Sequence, residues 1–250
     1  TESFRIQEVK KRERRRNPAP PFTTSTLQQE ASRKLGFSAR KTMSIAQQLY
    51  EGLGLGKEGS VGLITYIRTD SLQVAAEAKQ EAREVIERFY GREYLPASPP
   101  VYKTKTAGAQ EAHEAIRPTI AERRPEEIKP FLSRDQYRLY ELIWNRFIAS
   151  QMRPAVMDAV SVEISGGEFL FRATGSKIKF QGFLVLYQEG KDEEKNEEET
   201  ILPELEEQTE IMINEVKPAQ HFTQPPPRYS EAMLVKTLEE KGIGRPSTYA

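Results

Sequence analysis

No cysteine occurs in the 250 residues, which rules out a disulfide framework and any zinc site built on thiolates. Histidine is scarce as well. With only His113 and His221 available, a protein-only zinc site is a poor fit. No apolar run approaches the ~18 residues that a membrane-spanning helix needs, and no secretory signal is visible. Net charge is missing too: 37 basic residues meet 37 acidic ones. Overall balance therefore gives no argument for nucleic-acid binding, and any such case rests on local patches.

One local patch opens the chain. Residues 1–16 carry seven Lys/Arg against three Glu. Phe4 to Lys10 alternates apolar and polar residues, the pattern of a strand, and runs into Arg12-Glu13-Arg14-Arg15-Arg16. Two readings stand for this run: a solvated edge strand that uses charge to avoid pairing, or a strip that faces phosphates. Asn17-Pro18-Ala19-Pro20-Pro21 then breaks the chain at a domain junction.

The pattern from Thr23 to Gly52 is helical. Thr24 or Ser25 can cap a helix that runs through Leu35 and ends at Gly36. Ser38 can cap a second, with Met43, Ala46 and Tyr50 near one face and Ile45 and Leu49 adjoining it. Gly52 to Lys57 is glycine-rich but is not a phosphate loop. That motif requires glycine where Glu51 stands and Ser or Thr where Glu58 stands. It reads as a flexible loop leading to the next stretch, on which the chain is centred.

Gly62-Leu63-Ile64-Thr65-Tyr66-Ile67-Arg68-Thr69-Asp70-Ser71 is a short apolar run that delivers a tyrosine and then, two residues on, an arginine. In extended chain, side chains alternate faces, so Tyr66 and Arg68 point the same way. A phenol beside a fixed guanidinium suits attack on a phosphodiester, the arginine holding phosphate oxygens in a planar fork. Taken by spacing alone, the pair is equally an ordinary tyrosine and a surface arginine.

Ser71 is expected to open a long helix to about Tyr90, closed by Gly91, with Val74, Ala78, Ala82, Val85, Ile86 and Phe89 on its apolar side. A capping box, Ser133-Arg134-Asp135-Gln136, starts another to about Met152 around Leu139, Tyr140, Ile143, Trp144, Phe147 and Ile148. These aromatics read as core. The period changes at Pro154. Val156–Ile164 is a strand, Gly166-Gly167 a hairpin turn, and Glu168–Thr174 and Lys177–Tyr187 continue the β pattern. Lys191–Thr200 holds six acids and two lysines, a surface loop that would avoid DNA. Thr209–Val216 is a further strand. Ser230 can cap a helix through Lys241, stopped by Gly242. The small donors and arginine of Gly244-Arg245-Pro246-Ser247-Thr248 stand near a turn that could start another helix and bind phosphate. The fold class is α+β: a helical unit interrupting a strand-rich antiparallel one, in which the strand before residue 17 joins the sheet formed after residue 154.

The decapeptide 62–71 resembles the active-site signature of the type IA DNA topoisomerases, the bacterial topoisomerase I group. Further stretches resemble the same family in the same order: Pro21 to Ala31, Gln110 to Thr119, Pro218 to Pro226, Arg228-Tyr229-Ser230-Glu231-Ala232, and Gly242 to Ala250. Together they cover nearly all of the chain. The resemblance implies a curved, strand-rich arch carrying a helical domain that bears the catalytic tyrosine. The expected segments are 1–20 and 154–227 for the arch, 21–153 for the helical domain, and 228–250 for the start of a helical DNA-binding domain.

The resemblance further implies that Tyr66 is the nucleophile and that Arg68 and His113 belong to the active site. A lone histidine such as His113 would otherwise read as structural. Arg117 is a phosphate contact or a structural salt bridge, and Arg245, Ser247 and Thr248 line a groove for single-stranded DNA. The implied activity is ATP-independent relaxation of supercoiled DNA. The family's acidic, magnesium-binding N-terminal domain has no counterpart here, so the Mg²⁺ ligands are expected outside this chain. Thr1 at one end and a motif running to Ala250 at the other suggest a segment of a longer enzyme. It is expected to act as a cytoplasmic monomer on DNA, partnered by that domain and by no membrane. Two alternatives remain: a non-catalytic DNA-binding or scaffold module, and a part of a topoisomerase III or reverse gyrase. Ile67, between the tyrosine and the arginine, fits bacterial topoisomerase I better than topoisomerase III.

Overall fold

The computed structural model describes residues 4–102, 113–190, 201–245 and 248–249. In chain order its elements are β1 (Phe4–Arg16), α1 (Thr24–Leu35), α2 (Ala39–Glu51), β2 (Leu53–Gly54), β3 (Ser60–Val61), α3 (Ala76–Phe89), the single turn α4 (Pro125–Ile128), α5 (Arg134–Ser150), β4 (Ala155–Gly166), β5 (Phe169–Phe180), β6 (Glu210–Ile211) and α6 (Glu231–Glu240). The fold is mixed helix and antiparallel sheet, as the pattern predicts. Among the described residues no helix is long and apolar enough to cross a membrane.

The chain divides into two compact units. The first comprises Thr1–Asn17, Pro154–Gln181 and Glu194–Arg228 and holds one antiparallel sheet in the order β5-β4-β1-β6. β1 does join the strands that follow residue 154: Arg16 pairs with Ala155 and Phe4 with Gly166, with one irregularity between Ile6 and Glu8. β4 turns into β5 through Gly167-Glu168, where Gly167 takes φ 59°, a left-handed conformation that costs glycine little. β6 pairs with Phe4 and Arg5 of β1, residues 208–209 bond both backbone groups of Ile6, and the Val9 amide donates to the Glu207 carboxylate at 3.1 Å. Among the described residues the Lys10–Arg16 stretch has no strand paired on that side and carries exposed charge there.

Two strand expectations are too long. β5 stops at Phe180 and Gly182–Val185 forms a 3₁₀ turn instead. Only Glu210–Ile211 of 209–216 pairs, because the residues after it are exposed and have no neighbouring strand among the described residues. The acidic run 191–200 lies outside the described residues.

The second unit comprises Pro18–Arg153, Gly182–Glu193 and Tyr229–Ala250. Two stretches thus group differently from the segments read in the sequence, and side chains explain both. Tyr187 is buried, and its hydroxyl donates to Glu30 at 2.5 Å while accepting from Arg146 at 3.3 Å. Glu30 also accepts from the Gly190 amide at 3.0 Å, and Lys34 donates to the Gln188 carbonyl. This network holds the segment after β5 onto α1 and α5. α6, capped by Ser230 as expected, packs on α1 with Ala232 and Val235 buried. Its Glu231 also accepts from the Ala39 amide at 2.8 Å.

α5 is the centre of this unit. Ser133 and Gln136 make the reciprocal capping box. Leu139, Tyr140, Ile143, Phe147 and Ile148 are fully buried, each contributing roughly 1.5–3 kcal/mol of transfer free energy. The polar tips in this core are satisfied. Tyr140 Oη donates to the Arg123 carbonyl at 2.7 Å, and Trp144 Nε1 donates to that of Ala121 at 2.8 Å.

Two helix starts differ from expectation. Thr23, rather than Thr24 or Ser25, caps α1, in a reciprocal box with Thr26. α3 begins at Ala76 and not at Ser71. Thr69 and Ser71 each turn a hydroxyl onto the amide two residues ahead, at 3.0 and 3.1 Å. That local bonding competes with a helix start. The Gln73 carbonyl accepts from Ala115 N at 2.8 Å, which keeps the segment extended.

Candidate active site

Residues 62–71 form neither a helix nor a continuous strand. They are braced by chain from both sides. On one side Thr65 N donates to the Arg117 carbonyl at 2.9 Å and Thr119 N to that of Leu63 at 3.0 Å. The Thr65 hydroxyl donates to the Ala115 carbonyl at 2.7 Å, and the Thr119 hydroxyl to that of Gly62 at 2.8 Å. On the other side the N-terminus of α1 takes over. Thr24 N donates to the Thr69 carbonyl at 2.9 Å, and the Thr24 hydroxyl accepts from Thr69 N at 2.9 Å and donates to the Ile67 carbonyl at 2.7 Å.

Apolar side chains lock the segment inward. Leu63, Ile64 and Ile67 are buried, as is Thr69. Tyr66 and Arg68, flanking buried Ile67, are both exposed, although burial of Leu63 and Ile64 in succession and a bend at Ile67 and Arg68 depart from the extended alternation expected. Tyr66 is 41% exposed. Among the described residues neither the Tyr66 hydroxyl nor the Arg68 guanidinium has a hydrogen-bond or ion-pair partner.

Tyr66 has two aromatic neighbours. The His113 ring centroid lies 5.4 Å away, tilted by 55°, and that of Tyr50, near the end of α2, lies 5.6 Å away in an edge-to-face arrangement at 69°. The structure thus brings His113 to Tyr66, although the two stand 47 residues apart (113 − 66). Tyr50 escaped the sequence reading. Its place on a helix face gave no hint of the contact, because the contact depends on how the intervening stretch closes. That stretch is a small hairpin and not an open loop: Leu53 pairs with Val61 and Gly54 with Ser60.

The other expected residues fare differently. Arg117 spends its donors within the chain: Nε and Nη2 reach Glu114 at 2.7 and 2.6 Å, and Nη1 reaches the Pro118 carbonyl at 2.9 Å. Of the two alternatives for Arg117, this geometry is the salt bridge. Arg245 is exposed and closes a turn in which Thr248 Oγ1 accepts from Arg245 N at 2.9 Å. Burial pushes the neighbouring Tyr249 phenol up, as do Glu239 and Asp70, while Arg245 opposes them. The last turn therefore stands within electrostatic reach of Asp70 in the central stretch. Ser247 lies outside the described residues, as do Gln110, Glu111 and Ala112 before His113.

Among the described residues no three or more His, Cys, Asp or Glu side chains are placed to hold a metal. A cleft of about 420 Å³ lies beside the 53–61 hairpin, lined by Leu55, Phe89, Arg123 and Phe131 among others, and does not include Tyr66. Tyr66 and Arg68 are presented on open surface, which suits a polymeric substrate better than a small enclosed one.

A family model for DNA topoisomerase matches residues 1–250. DNA topoisomerase 1 of Xylella fastidiosa, in strains Temecula1 and 9a5c, is 57% identical over 249 residues, covering 98% of this chain and 31% of those proteins. The chain thus spans about a third of the length of these curated relatives. The structure of full-length topoisomerase I from Thermotoga maritima superposes with a TM-score of 0.83 at 42% identity, over all of this chain and 39% of that one. Matched along its whole length by the family model, this chain belongs to the type IA DNA topoisomerases.

Proposed function

We propose that this chain supplies the nucleophile of an enzyme that relaxes supercoiled DNA by cutting and resealing one strand. The observation that supports the reading is the exposure of both Tyr66 and Arg68 on either side of buried Ile67, with the His113 ring centroid 5.4 Å from that of Tyr66. The Tyr66 oxygen attacks a backbone phosphorus, the bond from phosphorus to the 3′ oxygen breaks, and the tyrosine becomes joined to the 5′ phosphate. The phenol gives up its proton and the departing 3′ oxygen gains one, leaving a free hydroxyl. The phosphotyrosine bond keeps the energy of the bond it replaces, so the reverse attack reseals the strand without ATP.

A free phenol has a pKa of about 10, so deprotonation must accompany attack. Arg68 offsets charge that develops on the phosphoryl oxygens, an effect that can be worth roughly 3 kcal/mol. His113, packed against the Tyr66 ring, is placed to order the nucleophile or meet the phosphate. Arg245 and Thr248, with Ser247, are assigned to the path of single-stranded DNA, and Arg117 acts from behind by fixing the 115–119 brace.

Among the described residues no group of three or more His, Cys, Asp or Glu offers a magnesium site. The Mg²⁺ expected for the complete enzyme is assigned to an N-terminal acidic domain that partners this chain. The whole protein is proposed to work as a cytoplasmic monomer at the bacterial chromosome. The test uses the full-length protein containing this chain, Mg²⁺ and a 3′-labelled single-stranded oligonucleotide. The label should stay on the protein after denaturation and be lost entirely in Tyr66→Phe. An adduct that survives that substitution overturns the reading and leaves a binding module as the better account.

A further inference from the structure

We infer that Tyr50 is a positioning residue that holds the Tyr66 ring in line for attack. The inference rests on the reading of Tyr66 as nucleophile. Tyr66 sits on irregular chain, its ring is 41% exposed and its hydroxyl has no partner among the described residues. Backbone braces fix its Cα but leave its two side-chain torsions to neighbouring rings. Displacement at phosphorus needs attacking and leaving oxygens nearly collinear, so a ring that wanders between rotamers loses productive time.

Tyr50 is built to prevent this. It stands one residue before the end of α2, and α2 is fastened to the run that leads to Tyr66. Leu63 N donates to the Leu49 carbonyl at 2.7 Å. Gly62 approaches so closely that a Cβ there would lie 2.8 Å from the Tyr50 carbonyl oxygen. The Tyr50 backbone is therefore in register with the nucleophile's own strand of chain. Its ring meets the Tyr66 ring edge to face at 5.6 Å, a favoured aromatic geometry. The Tyr50 hydroxyl has no hydrogen-bond partner among the described residues, so the ring is what acts. Phenylalanine should therefore serve as well.

The experiment compares Tyr50→Ala, Tyr50→Phe and Tyr50→Leu in the full-length protein. Three quantities are read: the single-turnover rate of adduct formation, oligonucleotide affinity in a non-cleaving Tyr66→Phe background, and melting temperature. Tyr50→Ala should slow adduct formation by roughly two- to tenfold, the factor an aromatic pair of this type represents, with affinity unchanged. Tyr50→Phe should keep the parent rate. Tyr50→Leu guards against misfolding: with native melting and lost rate it supports the inference, and with native melting and full rate it overturns it. A loss in Tyr50→Phe would mean a role for the hydroxyl. A loss explained wholly by weaker binding would mean a base-stacking platform. Either result overturns positioning. An adduct that depends on Tyr66 but ignores Tyr50 sinks this inference alone, whereas one that survives Tyr66→Phe sinks the nucleophile reading first.

Discussion

Gly62 shows how little room one residue can have. A methyl group there would press on the Tyr50 carbonyl at 2.8 Å, and backbone cannot swing aside as a side-chain tip can. Gly62→Ala is expected to cost about 1–3 kcal/mol, read as a lower denaturation midpoint, and to slow adduct formation by shifting Tyr66 off α2. At the same scale, although burial of both Ile64 and Ile67, three residues apart, shows that strict alternation does not hold here, the exposure of Tyr66 and Arg68 around a buried Ile67 was legible in the sequence. The partnership with Tyr50 was not. Sixteen positions (66 − 50) separate the two rings, and the pairing of Leu53 with Val61 and Gly54 with Ser60, with the Leu63–Leu49 bond behind it, folds that interval short.

Among elements, the segment after β5 depends on one buried polar knot. Tyr187 bridges Glu30 of α1 and Arg146 of α5, and burial, ahead of the neighbouring charges, pushes its phenol well above the usual range. Tyr187→Phe strips a donor from a buried carboxylate and an acceptor from a buried guanidinium. Thermal denaturation should show a loss of about 1–3 kcal/mol. Helices with strong caps were legible: Ser38, Ser133 and Ser230 each bond the amide three residues on. The start of α3 was misread for a physical reason. Hydroxyls at 69 and 71 serve a turn as readily as a cap, and the choice was made by residue 115, which pairs with Gln73.

On the scale of the molecule, the two units answer to composition in different ways. The strand unit exposes its charge along β1, where Glu13 pairs with Lys179 at 3.0 Å, and the helical unit hides its aromatics along α5. The grouping of 182–193 and 229–250 with the helical unit was illegible because it hangs on single side chains such as Tyr187 and Glu231, which carry no periodicity. Because the chain spans only about a third of the length of the relatives it matches, purified chain 1–250 is expected to leave a supercoiled plasmid unrelaxed in a Mg²⁺ gel assay. Relaxed bands that appear with the chain and vanish in Tyr66→Phe would refute this.

The brace around residues 62–71 also sets an order of events during synthesis. Its two halves come from residue 24 and from residues 115–119, so a ribosome that has just finished Ser71 has made the tyrosine but not the far wall that holds it. Some fifty residues (119 − 71 = 48) must still emerge before the phenol acquires its setting. A stalled or truncated product ending in that interval carries Tyr66 without half of the brace that holds residues 62–71. A long-range clasp of this kind ties the setting of Tyr66 to completion of the chain through residue 119.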